Sequence, residues 1–308
     1  MTAADNSEPS GLLARAWRFL HKPPEEKAQS FYARWIRLFP RIPMPVRLPF
    51  GGWWLARNDF LGSSIIHGGF EDSERSFVER FLKLGMVVLD IGANQGFYTL
   101  LASRLVGPSG KVISFEPSLR ERNALLLHKM LNRCRNVSVQ SLALGEKTAT
   151  ADFYVVKDTH TGLNSLRPPV GIAQTSIVRV EVDTLDAWLH RQELPHVDFI
   201  KLDVEGGELA VLKGASELLR RLPRPVILAE VEDIRTLPWG YCAKEIIEFL
   251  SARKYRWFLI SGSGSLIELG VNSPVLDGNF VAVPDERMRE VAELAEVESR
   301  PSMKRGDH

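Results

Sequence analysis

A short apolar segment that ends in a glycine turn constrains the fold of this chain more than any other stretch. Residues 87–107 read VVLDIGANQGFYTLLASRLVG, in which an apolar run reaches Asp90, Gly92 and Gly96 follow, and helically spaced apolar residues begin at once. This is the layout of a strand that feeds a helix through a ligand-binding loop. It predicts a doubly wound α/β sheet with a nucleotide site at this turn.

The residues of the turn distinguish between nucleotides. A dinucleotide fingerprint, G-x-G-x-x-G, needs its middle glycine where the pyrophosphate touches the backbone, and this chain has Asn94 there. Asp90 is unfavourable beside a diphosphate but favourable beside a cationic ligand that carries a ribose. S-adenosylmethionine (SAM) has a sulfonium, an ammonium and no phosphate, so the turn favours SAM over NAD.

Two further segments extend the predicted cofactor site. KVISFEP places Glu116 at the tip of the second strand, where a carboxylate can accept hydrogen bonds from both ribose hydroxyls. A third strand predicted over 137–142 brings Leu142 and Ala143 to where an adenine ring could rest. An alternative reading makes Glu116 only a solvated strand end. The predicted cofactor residues are Asp90, Gly92, Asn94, Gly96, Glu116, Leu142, Ala143 and Asp203.

A second chemical stretch, VDFIKLDVEGGELAVLKGA, covers residues 197–215. It predicts a strand with Asp203 at its tip and Glu205 in the following turn, so both face the methyl donor if this strand lies beside the first one. Acids near a helix N-terminus also favour the helix dipole, which accounts for Glu208. Asp203 needs a partner such as Lys201, a metal ion or a substrate hydroxyl.

If SAM donates its methyl group to an alcohol, the alcohol must lose its proton to a base or with the help of a metal ion. Asp203 is the first candidate for either role, and Glu205, Glu230 and His67 follow it. Acids at adjacent strand tips would raise one pKa or attract Mg²⁺, which prefers oxygen ligands. The candidate metal ligands are Asp203, Glu205 and Glu230, and the sequence leaves the choice between base and Mg²⁺ open. A lone histidine such as His67 is more often structural.

Six segments in a fixed order resemble a known family. They are DIGANQGFYTLLA at 90–102, FEP at 115–117, ALG at 143–145, NSL at 164–166, VDTLDAWL at 182–189 and DFIKLDVEGGELAVLKGA at 198–215. Over residues 71–231 the chain resembles the FkbM family of SAM-dependent methyltransferases. The resemblance implies a mostly parallel, seven-stranded class I methyltransferase sheet with an antiparallel terminal hairpin. It also implies O-methylation of a hydroxyl on a sugar, glycan, lipid or secondary metabolite.

Composition limits the classes of partner. The 308 residues, 44% of them hydrophobic, suffice for one main core, and the formal net charge of +1 gives no global reason to expect nucleic acid binding. The 2 cysteines fit a reducing compartment, and no apolar run reaches the roughly 18 residues of a membrane span. These features predict a cytoplasmic protein, and the FkbM resemblance implies a small-molecule or glycan acceptor.

Three regions are expected: an N-terminal helical and irregular extension at 1–70, the methyltransferase domain at 71–285, and a charged helix with a frayed tail at 286–308. Residues 12–39 interleave aromatic residues with arginines. This composition suits a membrane-surface helix. It equally suits a cap that packs on the catalytic domain or on a second subunit of a homo-oligomer, and the direct continuation into more aromatic sequence favours packing.

Two other functions remain open from the sequence. A nicotinamide-dependent oxidoreductase would share the sheet, but Asn94 and the missing tyrosine–lysine pair disfavour it. A non-catalytic protein with the SAM-binding fold could use its aromatic, basic N-terminus for docking, but it would not need acids at its strand tips.

Overall fold

The computed structural model describes residues 21–157, 159–172, 174–194, 196–270 and 277–295. Within these residues the chain forms two compact units. The first unit holds residues 21–70 and 159–161, and the second holds the described residues from 71 to 157 and from 162 to 295. The predicted aromatic and basic segment at 12–39 therefore lies partly outside the described residues.

The first unit is built from two helices and a hairpin. In chain order these are α1 (Pro24–Leu38), β1 (Met44–Arg47), β2 (Trp53–Ala56) and α2 (Phe60–Ile66), with β1 and β2 antiparallel. Helix α1 begins at Pro24, directly after Pro23. Proline is tolerated in this first turn because no intrahelical N–H bond is lost there. Asp59 caps α2 by accepting a hydrogen bond of 2.7 Å from the Gly62 N–H.

The second unit contains eleven strands among its described residues. They are β3 (Val87–Ile91), β4 (Lys111–Phe115), β5 (Val137–Gln140), β6 (Ala143–Leu144), β7 (Ala149–Val156), β8 (Thr175–Asp183), β9 (Phe199–Leu202), β10 (Val226–Glu230), β11 (Tyr255–Ile260), β12 (Leu266–Glu268) and β13 (Asn279–Pro284).

Its described helices are α3 (Asp72–Phe81), α4 (Phe97–Val106), α5 (Leu119–Leu131), α6 (Leu185–Arg191), α7 (Glu208–Lys213), α8 (Asp233–Thr236), α9 (Lys244–Ser251) and α10 (Met288–Val291). None of the helices in the part of the chain that the structure describes is long and apolar enough to cross a bilayer.

The main sheet has the strand order β12-β11-β13-β10-β9-β3-β4-β5. Strands β10, β9, β3, β4 and β5 are parallel, and β13 is antiparallel to both of its neighbours, β10 and β11. All residues of β3 and β9 are buried, as expected for central strands of a parallel sheet. The predicted class I methyltransferase fold is confirmed, with β12 as one edge strand more than the seven of that sheet.

An insertion between β5 and β9 forms a small sheet of its own, in the order β6-β8-β7. Strands β7 and β8 pair antiparallel, with Ala149 opposite Val182 and Val156 opposite Thr175. The two-residue strand β6 pairs parallel with β8, with Ala143 opposite Val182. The segment predicted as the end of a third strand, 141–142, instead connects β5 to this small sheet.

The C-terminal segment is part of the second unit as far as residue 295. A 3₁₀ turn, Asp285–Arg287, precedes α10, and the side chain of Arg287 is buried. Its guanidinium donates to the Asp198 carbonyl at 2.5 Å and pairs with Glu290. The predicted boundary at 285 therefore falls inside a packed unit, because a buried arginine holds the segment there. The predicted tail at 296–308 lies outside the described residues.

Candidate active site

The carboxyl ends of β3 and β9 form the centre of the candidate site. The chain leaves β3 toward β4 and β5 on one side and later returns to β9 and β10 on the other, so the strand order reverses between β3 and β9. Ligands of open α/β sheets bind at this position. Ile91 pairs with Leu202, and its carbonyl accepts a hydrogen bond of 3.0 Å from the Asp203 N–H. Strand β9 thus lies beside β3, which is the condition under which the sequence places Asp203 and Glu205 at this site.

The two glycines of the turn are required by backbone conformation and packing. Gly92 and Gly96 have φ values of +83° and +95°, which favour glycine. A Cβ at Gly92 would lie 1.7 Å from the Asp203 carbonyl oxygen, and one at Gly96 would lie 2.9 Å from Cγ of Leu125. The space freed by each glycine is thus filled by protein. Any contact of Gly92 or Gly96 with a cofactor stays a prediction.

Glu116 lies just after β4, buried and held in place by backbone donors. Its Oε2 accepts from the Asn94 N–H and its Oε1 from the Ser118 N–H, both at 2.8 Å. Burial, and then the charge of Glu121, raise the pKa of Glu116 to about 8, and the two backbone bonds oppose this. Each carboxylate oxygen retains a lone pair for a further donor.

Asn94 completes this side of the turn. It has a φ of +49°, and its side-chain Oδ1 is buried with no hydrogen-bond partner among the described residues. A Cβ at Gly162, in the insertion, would lie 3.7 Å from Nδ2 of Asn94. An orphaned buried carbonyl costs about 1–3 kcal/mol, so a ligand that donates to it here would be favoured.

Three carboxylates gather on the other side of β3. One oxygen each of Asp203, Glu205 and Glu230 lies within 4.8 Å of the others. Lys201 Nζ is 3.0 Å from Oδ2 of Asp203. Arg235 Nε is 3.0 Å from Oε2 of Glu205, an ion pair without hydrogen-bond alignment. The structure thus brings together the three acids that the sequence nominated, and it supplies two cations beside them.

The acids and cations of this cluster strongly perturb one another. Burial, followed by the charge of Asp203, raises the pKa values of both Glu205 and Glu230 well above the ordinary range. Burial alone would lower the pKa of Lys201, but the nearby carboxylates of Asp203, Glu71 and Glu230 outweigh it and raise that pKa. Lys201 therefore remains an ammonium beside these carboxylates.

The comparison with known families agrees with this geometry. The Methyltransferase FkbM domain matches residues 90–257, more than half of the chain. The chain belongs to the FkbM methyltransferase family. The match begins at Asp90, includes the glycine turn, Glu116 and the three acids, and ends within β11.

Individual relatives are more distant. "Methyltransferase 1" of Beauveria bassiana (strain ARSEF 2860) is 27% identical over 146 residues, covering 42% of this chain and 58% of that protein. This FkbM chain therefore matches less than two thirds of that relative. Among solved structures, the O-methyltransferase TomG from Streptomyces achromogenes, in complex with SAM, is 12% identical with a TM-score of 0.42, covering 87% of this chain and 94% of TomG. A SAM-dependent methyltransferase from Aquifex aeolicus is 19% identical with a TM-score of 0.35, covering 69% and 97%.

Asp90 is engaged inside the FkbM domain. Its Oδ2 accepts from the Thr99 hydroxyl at 2.5 Å, and that hydroxyl also lies 2.7 Å from Oγ of Ser114. Burial raises the pKa of Asp90 to about 6, against the lowering effect of the Thr99 bond and of Lys201. These contacts tie α4 to β3 and account for Asp90 structurally. Its predicted contact with a cationic donor stays a prediction.

The two predicted adenine residues have different environments. Ala143 is buried in β6 and packs with Phe153, Val180 and Val182 in the core of the small sheet. Leu142 is partly exposed and packs against the main core. Of the two, Leu142 has more side-chain surface left for a ring.

Sequence reasoning named Lys201 as a partner of Asp203 but missed Tyr98 and Asn279, which also lie beside Lys201. Tyr98, at the start of α4, donates a hydrogen bond of 2.5 Å to Oε2 of Glu71, and its ring centroid is 5.3 Å from Nζ of Lys201. Nζ of Lys201 also donates to Oδ1 of Asn279 at 3.1 Å. Glu71 has a φ of +46°, which is strained for a non-glycine residue. The position of Tyr98 beside the glycine turn was the available signal.

The insertion contributes its NSL segment to this site. The Ser165 hydroxyl donates to the Glu205 carbonyl at 2.9 Å, and Asn164 Oδ1 accepts from the Val156 N–H at 2.8 Å. Glu205 has a φ of +57°, so the turn that carries it is also strained. The insertion loop therefore contacts the turn that follows the tip of β9.

His67 belongs to the first unit. It follows α2, its side chain is exposed, and its Nδ1 lies 2.8 Å from the Ser63 carbonyl oxygen. This local bond is what a structural histidine makes. The predicted catalytic role of His67 stays a prediction.

Proposed function

We propose that the second unit is a SAM-dependent O-methyltransferase. The observation that carries this proposal is the placement of two different carboxylate environments on opposite sides of β3. Glu116 stands on the β4 side with backbone donors only, and the acid cluster stands on the β9 side with two cations. A donor with a ribose at one end and a reactive methyl group toward the other matches this division.

The residues on the β4 side fit the donor. Both oxygens of Glu116 have capacity for ribose hydroxyls, and the orphaned Oδ1 of Asn94 accepts hydrogen bonds. Leu142 offers apolar surface for the adenine. When bound, SAM supplies a methyl group on a sulfonium, ready for in-line displacement. The protein must hold the acceptor hydroxyl in line with that methyl carbon.

Asp203 is the proposed base. Its side chain is 28% exposed, against 12% for Glu205, so it is the more accessible of these two acids to an acceptor. Lys201 binds its Oδ2, which leaves Oδ1 to accept the proton of the acceptor hydroxyl. Glu205 is the more buried of the two and already lies beside Arg235, so it is not the proposed base.

The three carboxylates match the ligands that Mg²⁺ prefers, but two neighbouring cations compete with the ion for them. Carboxylate oxygens are its preferred ligands, yet Lys201 already lies 3.0 Å from Asp203, and Arg235 lies 3.0 Å from Glu205. Two of the three acids thus have a cation. The proposed reaction therefore passes its proton to Asp203 and uses no metal step.

The proposed acceptor is a small molecule or glycan with a free hydroxyl group. Ser165 and its neighbours lie against the turn that carries Glu205, so the insertion loop would form one wall of the acceptor site. Loops of this kind carry most substrate selectivity in α/β enzymes.

The test begins with the donor. Calorimetric titration with S-adenosylhomocysteine should show binding, and NADH should show none; NADH binding would instead support the nicotinamide oxidoreductase. Labelled SAM with a panel of sugars, lipids and natural-product alcohols then identifies the acceptor. Donor binding without turnover on any alcohol would favour the non-catalytic alternative.

The base is tested by Asp203→Asn. We expect S-adenosylhomocysteine affinity within about threefold of wild type and a loss of turnover of about 10²–10⁴. Asp152→Asn, the same change at an exposed position on β7, is the matched control and should leave both unchanged. Equal loss of binding and turnover in Asp203→Asn would make Asp203 a donor-site or folding residue.

A further inference from the structure

An exposed apolar stripe runs along α1 and the turn that follows it. It consists of Phe31, Trp35, Leu38, Phe39 and Ile42. The rings of Phe31 and Trp35 are 6.1 Å apart, and those of Trp35 and Phe39 are 5.2 Å apart. Trp35 Nε1 donates to the Ile42 carbonyl at 2.7 Å, which ties the turn to the helix. Phe31, Leu38, Phe39 and Ile42 are 53%, 56%, 45% and 54% exposed.

Another face of α1 packs within the first unit. Tyr32 is buried, and its hydroxyl donates to the Arg57 carbonyl at 2.5 Å. Residues one position apart lie about 100° apart around a helix, so Tyr32 and Phe31 point in clearly different directions. The inner face is therefore used for packing, and the stripe faces outward.

A basic row accompanies the stripe. Arg34 is three residues after Phe31 and four before Leu38, so it is a neighbour of both on the helix surface. Arg37 and Arg41 follow, and all three arginines are exposed. None of them lies within ion-pair distance of a carboxylate among the described residues.

The surrounding sequence has a strong local charge. Between Glu26 and Asp59 the chain has six cations and no carboxylate, although the formal net charge of the whole chain is only +1. The positive charge is thus concentrated on the segment that exposes the aromatic rings.

We propose that the stripe and the basic row bind an anionic lipid surface. An interfacial helix places its apolar side chains at the boundary between headgroups and acyl chains and its arginines against lipid phosphates. The apolar side chains of the stripe and the arginines of the basic row lie next to each other, as this arrangement requires. A second copy of the chain docked through the same face would set its own arginines against these, so the concentrated positive charge favours an anionic surface over a dimer.

Vesicle co-sedimentation of the full chain tests this proposal. The probes are phosphatidylcholine vesicles with and without about 30% phosphatidylserine, at about 0.1 M salt. We expect binding to the anionic vesicles only. Changing Arg34, Arg37 and Arg41 together to Gln should weaken it about hundredfold, since each basic residue near such a surface contributes about fivefold. The same three positions changed to Lys should retain binding, because the attraction depends on charge.

The apolar contribution needs its own pair of variants. Phe31→Ser with Leu38→Ser should weaken vesicle binding at least tenfold by removing inserted surface. Met130→Ser, which removes a side chain 69% exposed on α5, is the matched control and should bind vesicles as wild type does. Unchanged circular dichroism in each variant excludes unfolding as the cause.

Three results would overturn the proposal. Equal binding to both vesicle types would show that the arginines do not recognise anionic lipid. Failure to bind both vesicle types would show that a membrane is not the partner. A sedimentation mass that falls in the Phe31→Ser, Leu38→Ser variant, with vesicle binding unchanged, would show that the stripe joins two copies of the chain instead.

Discussion

The pKa of Glu116 leads to a quantitative prediction about donor binding. Burial and Glu121 raise this pKa to about 8, so at pH 7 the carboxyl is about nine-tenths protonated in the free protein. Ribose hydroxyls that donate to Glu116 favour its ionised form and lower its pKa in the complex. Binding then releases a proton, and affinity rises with pH between the pKa of the complex and that of the free protein.

The magnitude follows from the pKa. If the complex holds Glu116 ionised down to pH 6, the dissociation constant of S-adenosylhomocysteine should increase about tenfold from pH 7 to 6 and nearly hundredfold from pH 9 to 6. Each pH unit below about 8 corresponds to about 1.4 kcal/mol of binding free energy. At pH 7 the complex should release close to one proton.

Calorimetry in two buffers of different ionisation enthalpy measures that proton directly. Glu116→Gln keeps the size of the side chain and removes the titration, so it should bind more weakly at pH 9, by about 1–3 kcal/mol. Its affinity should be nearly independent of pH from 6 to 8. No proton release by the wild type at pH 7, or the same pH slope in Glu116→Gln, would refute the assignment of Glu116 to the ribose.

Three shorter predictions concern packing, acid stability and metal. Gly92→Ala should lower the free energy of unfolding by about 2–5 kcal/mol, whereas Gly240→Ala, at φ +87° with open space around it, should cost about 1–2 kcal/mol in urea unfolding. Arg224 lowers the pKa of Glu286 to about 2, so this pair stabilises the fold above about pH 4.5 and its contribution disappears as pH falls to about 2. Glu286→Gln should therefore make the melting temperature less dependent on pH over that range. An unchanged dependence on pH would contradict this. EDTA should leave turnover intact, and activity restored only by Mg²⁺ would contradict the metal-free reaction.

Local patterns made the central sheet predictable. Strands β3 and β9 are buried on both faces and therefore read as mostly apolar runs, interrupted by Asp90 in β3 and Lys201 in β9. The glycine turn after β3 is a strong signal for a ligand loop. The parallel order then placed Asp203 beside the turn. The three nominated acids came together because Asp203 and Glu205 follow β9 and Glu230 ends β10, and these parallel strands have their carboxyl ends at one edge of the sheet.

Contacts between distant parts of the chain were not predictable in this way. Arg235 follows Glu205 by thirty residues and Tyr98 follows Glu71 by twenty-seven, and neither spacing matches a helical or strand period. The glycine motif also had two physical explanations, space for a ligand and space for protein. Only the position of the Asp203 carbonyl beside Gly92 distinguishes them.

The contact between Gly92 and the Asp203 carbonyl has a consequence for motion. With only a hydrogen atom between the turn after β3 and the turn after β9, neither can slide against the other without a clash. The two turns should fluctuate as one body, and their amides should exchange with deuterium only through a shared opening. The distance from the glycine turn to Asp203 would then stay constant while the outer loops move. Thermal motion at the surface would therefore not change the proposed geometry between this turn and the acid.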